Sequence, residues 1–220
     1  MSLEVIEIET APNPTASIIV LHGLGADGND FVPVAEELDL ASVGPVRFVF
    51  PHGPTRPVTI NGGYVMRAWY DILGTDLARR EDEAGLRESQ ALVEELIAGE
   101  TARGIKSSRI VLAGFSQGCA MTFMAGLRHK ERLGGLLGMS GYLPLADKTA
   151  TERSAANAGV PIFQAHGSAD PVITIGRATA SRDALLALGY PVEWHAYPMQ
   201  HSVCAAEIAE MNRWLLKVLG

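Results

Sequence analysis

RIVLAGFSQGCAMTFMAGL, residues 109–127, is a short apolar run, then Gly114-Phe115-Ser116-Gln117-Gly118, then an apolar helical segment. A strand that turns at once into a helix around G-x-S-x-G is the setting of a nucleophile elbow. The serine at the apex of so tight a turn is forced into a sparsely populated backbone region. Side chains two residues to either side would collide, which accounts for Gly114 and Gly118. The turn exposes the Ser116 hydroxyl and sets the Gln117 N–H at a helix N-terminus, where unpaired donors and the positive dipole end can receive an oxyanion. By itself the pentapeptide reads equally as an ordinary strand-to-helix turn with a serine N-cap. Its partners along the chain decide between the two.

Strand-like and helix-like segments alternate on both sides of the elbow. LEVIEIE (3–9) and, after a Pro-containing turn, SIIVLH (17–22) suggest two antiparallel strands, and VRFVF, LGGLLGMS, PIFQAHG and VEWHAY supply further strands. Helical spacing appears in Leu86, Gln90, Val93 and Leu96/Ile97, in Ile175, Ala178, Arg182 and Leu185/Leu186, and in Ile208, Met211, Leu215 and Val218. This order predicts an α/β fold, with a mostly parallel central sheet, an antiparallel N-terminal strand and helices on both faces, as one domain over residues 1–220. Residues 51–76, rich in Gly and Pro with interleaved aromatics, form the least regular stretch, and a loop of that length is usually functional or mobile.

An elbow on such a sheet demands an acid and then a histidine beyond later strands. Asp170, in PIFQAHGSADPVI, and His201, in VEWHAYPMQHSV, stand in that order. Asp147 and Asp183 lie in polar or helical surroundings, and Glu193 lies inside a strand. His129 reads as exposed near a helix C-terminus, and His195 as a sheet-face residue. His52, His166 and His22 read as groups that hydrogen-bond loops.

LHGLGADG, residues 21–28, carries the spacing G-x-G-x-x-G after a strand, but the next strand ends in Pro51, His52 and Gly53, with no acidic residue to hold a ribose. The dinucleotide reading therefore lacks its second half. The loop instead occupies the place of the second oxyanion donor, which makes Leu24 N–H the partner of Gln117 N–H.

The 220 residues are 47% hydrophobic, enough for a sizeable core, and the formal net charge of −7 without any Lys/Arg run argues against a nucleic-acid partner. The acidic start does not resemble a signal peptide, and no apolar stretch is long enough to span a bilayer. Two distant cysteines, Cys119 and Cys204, fit a reducing cytoplasm and make neither a disulfide framework nor a zinc site. No metal or cofactor is expected. Cys119, inside the helix, reads as a small buried hydrophobe and not as a nucleophile.

With LHGLGADGNDF, MRAWYDI, GFSQGCAM, HGSADPVI and YPMQHSV in this order over nearly the whole chain, the sequence resembles the carboxylesterase and acyl-protein thioesterase family of α/β-hydrolases. The resemblance implies a triad of Ser116, Asp170 and His201, an oxyanion hole of Leu24 and Gln117, and an acyl site shaped by the loop carrying Trp69 and Tyr70. Members of the family often pair, so a homodimer is one expectation, without residues that identify its interface. Two positions depart from the family pattern. Cys119 stands where Gly is frequent, a small-for-small change, and Gln200 stands before the histidine where Gly is common, a change that would narrow the entrance.

The interval between GMSGY and GVPIF is only about twenty residues, too short for a folded cap. The site is then open to an acyl group carried on a small molecule or on something bulky. Met66, Trp69, Tyr70, Ile72 and Leu73 either line a wall for a short to medium acyl chain or make up the loop's own core. The reaction expected is hydrolysis of esters, with thioesters as a further substrate class, through an acyl-enzyme on Ser116. A non-catalytic receptor on the same fold, and an acyl-transfer or dienelactone-type enzyme, are the alternatives.

Overall fold

The computed structural model describes residues 3–74 and 81–220. The chain runs β1 (Val5–Glu9), β2 (Ala16–Leu21), α1 (Val32–Glu36), β3 (Val46–Pro51), β4 (Thr55–Val58), β5 (Tyr64–Arg67), α2 (Glu83–Ala102), β6 (Ile110–Phe115), α3 (Gln117–Gly126), β7 (Gly135–Met139), α4 (Ala146–Glu152), β8 (Ile162–Gly167), α5 (Ile175–Ala187), β9 (Val192–Tyr197) and α6 (Ala205–Leu219). Seven strands form one sheet in the order β1-β3-β2-β6-β7-β8-β9, and every pairing is parallel except β1 with β3.

The expected antiparallel N-terminal strand is present, but β1 does not pair with β2. The chain carries β1 past the position of β2 to the far side of β3, with Val5 opposite Pro51 and Glu9 opposite Arg47. β2 is left between β3 and β6, where all six of its residues are buried. A central parallel strand needs apolar side chains on both faces, hence the unbroken run ASIIVL. Ile19 and Leu21 enter one core with Leu112, Leu86, Val93 and Ile97, while Ile18 and Val20 enter the other with Phe48, Met211, Trp214 and Leu215. Thus α2, α3 and α5 cover one face, and α1 and α6 the other.

All ten residues of α3 are buried, as expected for a helix packed on every side. The apolar faces of α5 and α6 are rotated slightly from the expected spacing. Ala178, Ser181 and Leu185 are buried on α5, whose Arg182 lies over Trp194, and Met211, Trp214, Leu215 and Leu219 are buried on α6. Within the irregular stretch, whose Thr75 and Asp76 lie outside the described residues, β4 and β5 form a separate antiparallel hairpin turned through Gly62 and Gly63. Between β7 and β8 there is only α4 and a short 3-10 turn, so no cap covers the sheet edge. No helix among the described residues is long and apolar enough to cross a membrane.

A buried ion pair ties β3 to α2. Arg47 meets Glu100 at 2.9 Å, both at most 7% exposed, and also reaches Glu9 on β1 at 3.0 Å. Removing one member of such a pair strands a charge in low dielectric. Glu100→Ala is therefore expected to lower unfolding free energy by about 3 kcal/mol in denaturant melts. A loss below about 1 kcal/mol would mean that Glu9 alone compensates Arg47.

Candidate active site

Because the central strands run parallel, their C-terminal ends share one edge of the sheet, and the loops leaving β2, β6, β8 and β9 converge there. Those four loops carry Leu24, Ser116, Asp170 and His201. Ser116 has φ 56° and ψ −115°, a backbone conformation unfavourable for any residue with a Cβ. It persists because the chain on both sides has nowhere else to go. A side chain on Gly114 would strike the Gly118 carbonyl, and one on Gly118 would strike the Leu21 and His22 carbonyls at the end of β2. Ser116 N–H also donates to Met139 O at 2.9 Å.

The structure brings the three long-range candidates together. His201 Nε2 lies 2.9 Å from Ser116 Oγ, and His201 Nδ1 lies 2.6 Å from Asp170 Oδ2. The carboxylate fixes the tautomer, since Nδ1–H donates to it and Nε2 is left to accept from the serine hydroxyl. Asp170 is itself immobilised, its Oδ1 accepting from Val172 N–H at 2.8 Å and Ile173 N–H at 2.9 Å. The His201 loop rests on β8, where a side chain on Gly167 would collide with the Met199 and Gln200 carbonyls. A hydroxyl, an imidazole and a carboxylate linked in this way can generate an oxygen nucleophile without a metal.

The loop after β2 is fastened from below. The His22 ring is buried, Nδ1–H donates to Gly23 O at 2.7 Å, and Nε2 accepts from Gly53 N–H at 2.9 Å. Burial pulls its pKa down and keeps the ring neutral, as the one-donor, one-acceptor pattern requires. In the loop, Gly25 N–H is taken by Arg67 O and Ala26 N–H by Gly23 O, while Leu24 N–H has no partner among the described residues. Gln117, as the first residue of α3, has no carbonyl one turn behind to accept its N–H. Its side chain was not singled out from the sequence, yet it accepts from Trp69 N–H at 3.0 Å and donates to Tyr70 O at 2.8 Å.

A cavity of about 620 Å³ opens beside Ser116, walled by Leu24, Tyr70, Phe115, Tyr142, Ile173 and His201 among others. Of the residues expected to line an acyl wall, Tyr70 and Ile72 do so. Met66, Trp69 and Leu73 do not, and this corrects the expectation for those three. Trp69 is fully buried and donates from Nε1 to His22 O at 2.9 Å, so its ring belongs to the scaffold beneath the loop. Met66 lies behind Gly25, where its sulfur would face a side chain at that position. Tyr70 and Tyr142 share a hydrogen bond at 2.9 Å, and the Arg177 guanidinium sits 3.7 Å from the centre of the Tyr142 ring. Burial keeps both phenols neutral, with Tyr142 pushed up to about 12. Gln200 is exposed and is not among the residues that wall the cavity.

The other histidines and the buried cysteine have structural roles. His52 accepts from Gly28 N–H, and the His166 Nε2–H donates to Ile173 O at 2.7 Å beneath Asp170. His129 is half-buried, not exposed, and bonds Glu94 at 2.6 Å. Cys119 is fully buried, and desolvation raises its thiol far above the ordinary range. The one trio of potential metal ligands that converges among the described residues is Glu193, His195 and Glu210. It lies on β9 and α6 and not in the cavity wall, and Arg213 pairs with both carboxylates.

Glu207 occupies the third position of α6 behind the His201 loop, fully buried. Neither carboxyl oxygen closes a full hydrogen bond among the described residues. Desolvation dominates and lifts it to about 8 from an ordinary 4.5.

The chain matches the family model described as Phospholipase/Carboxylesterase over residues 3–219. It is 41% identical to an acyl-protein thioesterase 1 of Neurospora crassa, over 93% of this chain and 87% of that one. It is likewise 41% identical to an acyl-protein thioesterase 1 of Mycosarcoma maydis, over 98% and 96%. The crystal structure of Zea mays acyl-protein thioesterase 2 superposes with a TM-score of 0.88 at 29% identity, covering 99% of both chains.

The buried Glu207 has a thermodynamic signature. Its folded-state pKa is raised, so its proton stabilises the fold fully below about pH 4.5, and that contribution is lost as pH rises towards about 8. The slope is at most about 1.4 kcal/mol per pH unit. Glu207→Gln is expected to flatten the fall in melting temperature between pH 5 and pH 8. Parallel profiles for wild type and variant would show that Glu207 ionises normally.

Proposed function

The chain belongs to the phospholipase/carboxylesterase family of α/β-hydrolases and hydrolyses acyl esters or thioesters, and on that premise we propose how and on what it acts. Ser116 Oγ attacks the acyl carbonyl while His201 Nε2 takes the hydroxyl proton, and Asp170 holds the imidazole and stabilises its positive charge. The oxygen of the tetrahedral intermediate is received by the N–H groups of Leu24 and Gln117, each worth about 2.7 to 4 kcal/mol of transition-state stabilisation in comparable sites. His201 then returns the proton to the departing alcohol or thiol. Water, activated by the same imidazole, releases the acid and restores Ser116.

The observation that carries this reading is the continuous relay from Asp170 through His201 to Ser116, at 2.6 and 2.9 Å. The N–H groups of Leu24 and Gln117, without a partner among the described residues and lining the same cavity, support the oxyanion assignment. The acyl chain lies along Tyr70, Ile72 and Tyr142, and a cavity of about 620 Å³ without a cap suits a short to medium chain on a large leaving group. The whole chain acts as a single domain, and no cofactor enters the reaction. That the matched relatives are named acyl-protein thioesterases favours acylated peptides among the substrates.

Steady-state hydrolysis of p-nitrophenyl esters from acetyl to dodecanoyl tests this reading. Wild type should turn over, with an optimum at short to medium length. Ser116→Ala and His201→Ala should each lower kcat by about 10⁴-fold or more, and Asp170→Asn by about 10⁴-fold. Retained activity in Ser116→Ala would overturn the nucleophile assignment. Binding of an ester without sustained turnover would favour a receptor.

A further inference from the structure

Asp30 carries the one carboxylate among the described residues that line the cavity, which it shares with His201. Its carboxylate makes no hydrogen bond or ion pair among the described residues. The neighbouring Asp27, by contrast, has its Oδ1 engaged by the Asn29 backbone at 2.8 Å and side chain at 3.0 Å. Asp27 serves the turn, whereas Asp30 acts on the fold only through its charge near the buried His22.

Asp30 is followed in the chain by a run of packed rings. Phe31, the next residue, packs 5.5 Å from Phe115, and Phe115 packs 4.7 Å from His201. Asp30 thus precedes a ring that connects through Phe115 to His201 and lines the same cavity as both, while the Tyr70–Tyr142 pair is tied to Gln117. In the proposed reaction His201 protonates the departing group and the acyl chain lies against Tyr70, Ile72 and Tyr142, which leaves the part of the lining that Asp30 contributes to the leaving group. An unengaged negative charge there attracts positive charge on the leaving group and does not act on the acyl chain.

We propose that Asp30 makes the enzyme selective for acyl donors whose leaving group carries an ammonium or guanidinium. This inference rests on the hydrolase reading above. Asp30 is a specificity residue, because an exposed carboxylate paired with a mobile cation changes rates only modestly. The expected preference is about two- to fivefold, and salt should erase it.

The test uses two matched substrate pairs. One is S-octanoyl-cysteine in Ala-Lys-Cys-Lys-Ala against the same thioester in Ala-Gln-Cys-Gln-Ala. The other is octanoylcholine against its neutral isostere 3,3-dimethylbutyl octanoate. For wild type at low salt, kcat/KM should favour the cationic member of at least one pair by about two- to fivefold. That ratio should fall to one in Asp30→Asn and in high salt, and persist in Asp30→Glu. A ratio confined to the peptide pair identifies a basic acylated peptide as the source of the cation, and one confined to the choline pair a quaternary ammonium alcohol. Ratios of one in both pairs, or a preference that survives Asp30→Asn, overturn the proposal. Ser116-dependent turnover of the neutral members, run alongside, shows whether the hydrolase reading stands regardless of that outcome.

Discussion

The site depends on a single unfavourable backbone conformation, that of Ser116 at φ 56°. Holding a non-glycine residue there costs on the order of 1–3 kcal/mol, and the surrounding contacts must exceed that. They do so through close approach. Gly118 lies against the carbonyls that end β2, so the first turn of α3 and the loop carrying Leu24 are pressed into one body. The proposed nucleophile and the two proposed oxyanion donors are therefore positioned by the same contact. A methyl group at Gly118 would push them apart together.

Around this body the polar groups are arranged to be used up. His22 bonds on both ring nitrogens, Gln117 spends its amide on the backbone of Trp69 and Tyr70, and Asp170 engages two backbone N–H groups besides His201. The N–H groups of Leu24 and Gln117, which line the cavity, are left without a partner among the described residues. Preorganised donors of this kind need no rearrangement as charge develops on a carbonyl oxygen, which is where electrostatic catalysis gains most.

Much of this was legible in the sequence, for physical reasons that differ by residue. Buried parallel strands demand apolar runs and the elbow demands its glycines, so β2, β6 and Ser116 announce themselves locally, and chain order then points to Asp170 and His201. The partner of β1 was not legible, since alternation in VIEIE specifies an exposed edge strand but not whose edge. The β4–β5 hairpin was hidden by Pro57 and the paired glycines, which read as irregular loop. Trp69 and Tyr70 are adjacent in sequence and identical in character to any pattern rule. One became scaffold and the other cavity wall because the indole N–H found the His22 carbonyl. The engagement of the Gln117 side chain had no signal either, because it depends on a segment nearly fifty residues away.

The complete burial of α3 bears on how such a chain can diversify. A helix in contact with its surroundings at all ten positions tolerates few substitutions, and so the chemistry inherits that rigidity. The cavity's outer wall is built differently, from the segments around Ile60, Ile72 and Val172, which belong to loops and hold few core contacts. Sequence drift can therefore alter what the protein accepts while leaving how it reacts untouched. The two properties are carried by separate parts of the fold, and that separation lets a common reaction be offered to many substrates.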